Sequence, residues 1–131
     1  MSGENGNTGM AARFKQALQQ TEQSGDASAV ASLFGEGAKL TNLGGHHGTA
    51  ATKFWQVYLE QFGTIRSEFT AEIISDRSAA LEWQSRGTLQ DGREIDYRGV
   101  SVIEFDGDKL TGFRTYYDSA AFVRSKAATK A

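Results

Sequence analysis

The only histidines, His46 and His47, are adjacent and flanked by Gly44, Gly45 and Gly48. Imidazole exchanges protons near neutral pH, so histidines at a pocket rim would suit acid–base catalysis. The competing reading is an exposed glycine-flanked loop, with one ring packed on the helix that follows. Asn42, just upstream, can orient a water but cannot activate it alone. His46, His47 and Asn42 are therefore the candidate catalytic residues. Asp96 and Asp118 are the carboxylates worth testing. Strand alternation turns Asp96 away from Tyr97, so it reaches a pocket only through a bulge. Asp118 precedes a helix and reads as a cap. Glu72, Glu82 and Glu104 read as outer-face strand charges. No metal site is expected, because adjacent histidines point apart and no carboxylate has ligand spacing. No cofactor is expected either: the glycines of the loop lack the Lys-Ser/Thr of a phosphate cradle.

Around these residues the hydrophobic period changes once. Phe14, Ala17, Leu18 and Thr21 recur at helical spacing, predicting a helix over 10–23 that stops at Gly25. Asp26 caps a short second helix with Val30, Leu33 and Phe34, which Gly35 and Gly37 end. A short strand over 38–43 leads into the glycine–histidine loop. Thr49 caps a third helix, with Ala51, Phe54, Trp55, Tyr58 and Phe62 on one side.

From Thr64 the period becomes two. Ile65, Ser67, Phe69, Ala71 and Ile73 alternate with polar residues, and Asp76-Arg77 turns the chain. Leu81, Trp83, Ser85, Gly87 and Leu89 share a face opposite Glu82, Gln84, Arg86 and Thr88. Asp91-Gly92 is a hairpin signal, and Asp106-Gly107-Asp108 makes the following turn. Residues 120–127 read as a terminal helix. Three helices thus precede a four-stranded antiparallel meander, an α+β arrangement with helices on one face. The hollow between sheet and helices either holds a ligand or is filled by aromatics.

The chain has 131 residues and a net charge of −2, the size of one domain. A frayed leader over 1–9, a domain over 10–127 and a tail over 128–131 are expected. Absence of cysteine excludes disulfides, thiol catalysis and thiolate metal sites. The basic residues form no stripe, so no nucleic-acid partner is expected. No apolar run is long enough to span a membrane, and no signal peptide is evident. The expected location is cytoplasmic. Proline is also absent against 15 glycines, so the loops, residues 44–48 among them, bend with Gly, Asn and Asp.

Gly25-Asp26, Leu33-Phe34, Gly48 and the segment Asp108–Asp118 occur in an order and spacing that resembles the SnoaL-like group of the nuclear transport factor 2-like superfamily. The resemblance covers Phe14 to Phe122. It implies a cone-shaped, curved antiparallel sheet wrapped around N-terminal helices, with an internal pocket and usually a homodimer. Related folds include ketosteroid isomerases, polyketide cyclases and epoxide hydrolases, as well as noncatalytic binding proteins, so fold alone does not give function. The carboxylate, tyrosine and aspartate positions of the isomerases match Asn42, Leu18 and Ser101. The epoxide-hydrolase set falls on Thr115, Trp83, Ser85 and Leu40, with only Asn42 retained. The usual catalytic carboxylates are therefore missing.

The resemblance also selects the inward face. The expected pocket is lined by Trp55, Tyr58, Phe69, Trp83, Ser85, Tyr97, Ser101, Phe113, Thr115, Tyr117 and Phe122. The expected partner is a small apolar or aromatic molecule. Isomerisation, cyclisation or hydration is one possible outcome of binding, with Asn42, Tyr97 and Thr115 positioning water or a carbonyl oxygen. The alternative is a noncatalytic ligand-binding or interaction domain. The outer sheet face, with Arg98, Val100, Val102, Glu104, Arg114 and Tyr116, is expected to form a homodimer.

Overall fold

A computed structural model describes residues 6–43, 47–48 and 50–123. The first helix, α1 (Gly6–Ser24), starts four residues before the expected position. Met10, Phe14 and Leu18 follow one another at four-residue intervals and form its buried stripe. Gly25 ends it with φ +76, a conformation that glycine adopts without a Cβ clash. Buried Thr21 accepts the Val30 N–H at 3.1 Å, which ties α1 to α2 (Ser28–Ala31). Asp26 accepts from Ser28 N and Oγ at 2.9 and 2.7 Å, although the cap position itself is Ala27.

The next element departs from expectation. Gly35 and Gly37 do not end a helix but lie within strand β1 (Phe34–Thr41). Gly37 has φ +80, and the ladder shifts register between Phe34 and Lys39. A glycine-made irregularity inside a strand looks like a helix stop in sequence, since both use the same residue.

The remaining elements are β2 (His47–Gly48), α3 (Ala51–Glu60), β3 (Phe62–Ile74), β4 (Ser78–Leu89), β5 (Glu94–Asp106) and β6 (Lys109–Tyr117). The cap position of α3 is Ala50, without a side-chain bond; Thr49 lies outside the described residues. Phe62 opens β3 rather than continuing α3. Residues 120–123 begin the terminal helix.

The sheet order is β2-β1-β6-β5-β4-β3. Strands β3 to β6 form the antiparallel meander, while β1 joins β6 in parallel and carries β2 on its other edge. The result is a curved, mixed, open sheet of an α+β fold. Helix α1 packs against the inner side of β3, β4 and β5. Among the described residues, no helix is long and apolar enough to cross a membrane.

A register shift between Phe69 and Ala71 reverses the far end of β3. One extra residue moves every later side chain to the opposite face. Ile73, expected inside, is 76% exposed, and Ile74 packs on the core instead. Glu72, expected outside, turns toward the helices and pairs with Lys15 of α1 at 2.7 Å. Glu82 is exposed, and Glu104 pairs with Arg114 at 3.2 Å.

Candidate functional site

Alternation along β4, β5 and β6 brings one side chain in two to the concave face, beneath α3. Between that face and the helix lies a cavity. Helix α3 contributes Phe54, Trp55, Val57 and Tyr58. The strands add Trp83 and Ser85, then Tyr97 and Ser101, then Phe113, Thr115 and Tyr117. Leu18, Asn42, Gln61, Ser67 and Phe122 complete the wall. About 60 Å³ is open to the centres of water-sized molecules. No Asp, Glu, Lys, Arg or His occurs among the described wall residues.

Trp83 forms one flat side of this space. It pairs across the ladder with Gly99, where any Cβ would run into the Tyr116 carbonyl and the Trp83 ring. The missing side chain lets the indole lie against the sheet. Its N–H donates to Ser101 Oγ at 2.9 Å, and Ser101 Oγ bonds Thr115 Oγ1 at 3.0 Å. The Tyr97 ring stands edge-on to Trp83, with centroids 5.2 Å apart, and meets Phe122 at 5.1 Å. Across the cavity, the buried Trp55 N–H has no hydrogen-bond partner among the described residues.

At the α1 side a carboxylate stands behind the wall. Glu22 Oε1 accepts from Ser67 N at 2.8 Å, and Oε2 accepts from Ser67 Oγ and Tyr58 Oη, each at 2.6 Å. Ser67 Oγ also bonds Ser85 Oγ at 2.6 Å. Burial pushes the Tyr58 phenol well above its ordinary range, with the nearby Tyr97 and Glu22 adding to the shift. Burial raises Tyr97 as well. Both rings therefore present neutral phenols at neutral pH.

Every residue expected in the pocket stands in this wall except Phe69, and Asn42 stands there too. Phe69 instead meets Phe14 edge-on at 6.4 Å, filling the interface between α1 and β3. Its inward direction was readable, but the depth of α1 across that strand was not. His47 lies in β2 opposite Thr41, next in sequence to Asn42. His46 lies outside the described residues, as do the other glycines of the expected rim except Gly48. Asp96 is exposed, accepting from Gln84 Nε2 at 2.9 Å and Arg86 Nε at 3.2 Å. Those bonds, Gln84's first, hold its carboxyl below the usual range. Asp118 is exposed, and its carbonyl accepts from Ala121 N at 3.2 Å in the turn before the last helix.

Glu22, Ser67, Leu18, Phe54, Val57 and Gln61 were missed by sequence reasoning. Glu22 left a signal nonetheless. It continues the four-residue spacing of Met10, Phe14 and Leu18, so a carboxylate falls on the buried stripe and requires donors.

The SnoaL-like domain family matches residues 12–113, and the chain belongs to this family. No curated protein matches the chain. Among solved structures, it is similar to a nuclear transport factor 2-like protein from Anabaena variabilis, with TM-score 0.82 and 16% identity over 92% of this chain and 96% of that one. The polyporic acid co-crystal structure of TerC aligns with TM-score 0.75 and 12% identity, over 92% and 97% of the two chains. An epoxide hydrolase from M. tuberculosis, described as LEH-like, aligns with TM-score 0.72 and 15% identity over 93% and 92%. At these identities the likeness is one of fold.

Proposed function

We propose that the chain binds a small, uncharged, flat and mostly apolar molecule in this cavity. The observation that carries the reading is the wall, built from aromatic rings and neutral polar groups without an ionised side chain among the described residues. An ionised ligand would give up hydration there without gaining an opposite charge. Flat rings favour flat partners through stacked and edge-on contacts.

Trp55 and Trp83 report on binding because both line the cavity. Neutral polycyclic ligands should quench their fluorescence and raise Tm, while anionic analogues of equal size should do neither. Equal responses to charged and neutral members would sink the reading.

A second reading, acid–base turnover of the bound molecule, rests on the β1–β2 register that sets His47 beside Thr41. In it, His46 and His47 exchange the proton for isomerisation, cyclisation or hydration. Asn42, Tyr97 and Thr115 position the reacting oxygen. Turnover that persists unchanged in the H46A/H47A double variant excludes this role.

The outer sheet face fits a second copy of the chain. Ile73 and Tyr116 are exposed there, beside half-buried Val100 and Val102 and the Glu104–Arg114 ion pair.

A further inference from the structure

Counting hydrogens at the two polar ends of the cavity gives it a direction. A carboxylate only accepts, and a hydroxyl carries one hydrogen. Ser67 spends its hydrogen on Glu22, so the 2.6 Å bond between Ser67 and Ser85 must be donated by Ser85. Tyr58 spends its own on Glu22 as well. At this end the hydroxyls of Ser85 and Tyr58 therefore face the cavity with lone pairs only.

The other end has the opposite balance. Ser101 and Thr115 own two hydroxyl hydrogens, and the one bond between them uses one. The Trp83 N–H comes to Ser101 as a donor and consumes no hydrogen. Whichever hydroxyl donates, one O–H is left over. The two ends are set apart by the ladder: Ser85 pairs with Tyr97, and Ser101 pairs with Leu81, four residues along β4. On the concave face that is no more than roughly 13 Å. Trp83 lies between them.

Resting on the binding reading above, we infer that the ligand is an aromatic molecule with a free hydroxyl at one end and a carbonyl or ether oxygen at the other. The hydroxyl donates its one hydrogen to Ser85, beside the lone pairs of Tyr58; the oxygen accepts from the Ser101–Thr115 pair. Glu22 sets this polarity from outside the wall as a positioning residue, because its oxygens hold the hydroxyl hydrogens of Tyr58 and Ser67, and Ser67 in turn holds that of Ser85.

The test uses the full chain and matched phenol and methyl ether pairs of naphthol, hydroxybenzophenone and hydroxyanthraquinone, read by tryptophan quenching. A methyl ether cannot donate, so each phenol should bind at least about tenfold tighter, or 1.4 kcal/mol. Glu22→Gln replaces an accepting oxygen with an amide donor. It should release the hydroxyl hydrogens of Tyr58 and Ser67 and bring each pair within about twofold, or reverse it. Ser85→Ala leaves the Glu22 bonds intact and removes one lone-pair partner, so the preference should fall there too. It decides the matter if Glu22→Gln does not fold. Equal affinities within each pair on the unaltered protein overturn the polarity alone. A preference unmoved by both variants does the same. Failure of every compound to bind overturns the polarity and the binding reading together.

Discussion

Two aromatic groups meet in the interior of this protein, and they differ chiefly at the ring tips. Around Phe14 the ring neighbours are Phe113, Trp55 and Phe69, at 5.8 to 6.4 Å, and none of these rings is held by a hydrogen bond at its tip. Around Tyr97 the neighbours are Trp83, Tyr117, Phe122 and Phe62, with ring centroids 5.1 to 6.3 Å away. Burial is nearly the same, with Phe14 at 0% and Tyr97 at 6%. A phenylalanine ring is free to settle wherever it fills space best. A ring with a polar tip is steered by the hydrogen bond it must make, and the space left over becomes a cavity. Trp83, tethered to Ser101, and Tyr58, tethered to Glu22, show this steering.

The contrast breaks most visibly at the first group. Phe14→Ala should cost about 3–5 kcal/mol, since no neighbouring ring can fill the gap without losing its own contacts. Urea unfolding would show this as a lower midpoint with an unchanged slope. A loss below about 1.5 kcal/mol would mean the phenylalanine cluster repacks, and the distinction between the groups would fail.

Gly99→Ala tests the second group through its backbone. The new Cβ meets Trp83 Cζ2 at 2.8 Å as well as the Tyr116 carbonyl. The expected cost is about 1–3 kcal/mol, with a changed near-ultraviolet dichroism as the indole moves into the cavity. An unchanged spectrum and unchanged ligand quenching would contradict the role given to that glycine.

Alkali should act on the second group and spare the first, which has no ionisable tip. Tyr58 and Tyr97 are raised above the ordinary phenol value of 10.0, mainly by burial. The folded chain then holds protons that the unfolded chain releases. This stabilisation is complete below pH ~10 and falls as pH rises above it. Tyrosinate absorbance should therefore appear for these two rings together with unfolding. Ionisation of all four tyrosines before any loss of helix dichroism would refute it.

The smallest effect on folding lies on a surface belonging to neither group. Ile73→Asp should change monomer stability by no more than about 0.5 kcal/mol. If the outer sheet face joins two copies, light scattering should show the variant as a monomer and the parent chain as a dimer. Equal masses would remove the interface.

Much of the wall is legible in the sequence. Trp83, Ser85, Tyr97, Ser101, Phe113, Thr115 and Tyr117 lie on one face because strand side chains alternate, whatever packs above them. The inversion of β3 was not legible: Glu68, Thr70 and Glu72 continue the polar alternation through the position where the extra residue is absorbed. Gly37 was visible as a special position but gave the wrong element. Its positive φ serves a strand irregularity as well as a helix end. Phe69 was assigned the correct inward direction and the wrong neighbour, since α1 covers it.

By itself the amino-acid sequence determined the local periods, the hairpin turns, the SnoaL-like character and the inward set of β4 to β6, all of which depend on residues close along the chain. Only the tertiary structure decided that Glu22, Ser67 and Ser85 form one hydrogen-bonded line into the cavity. Those residues are 45 and 18 positions apart. Their meeting depends on how deeply α1 seats against β3 and on the register of β3 with β4, and the direction of every hydroxyl follows from that contact.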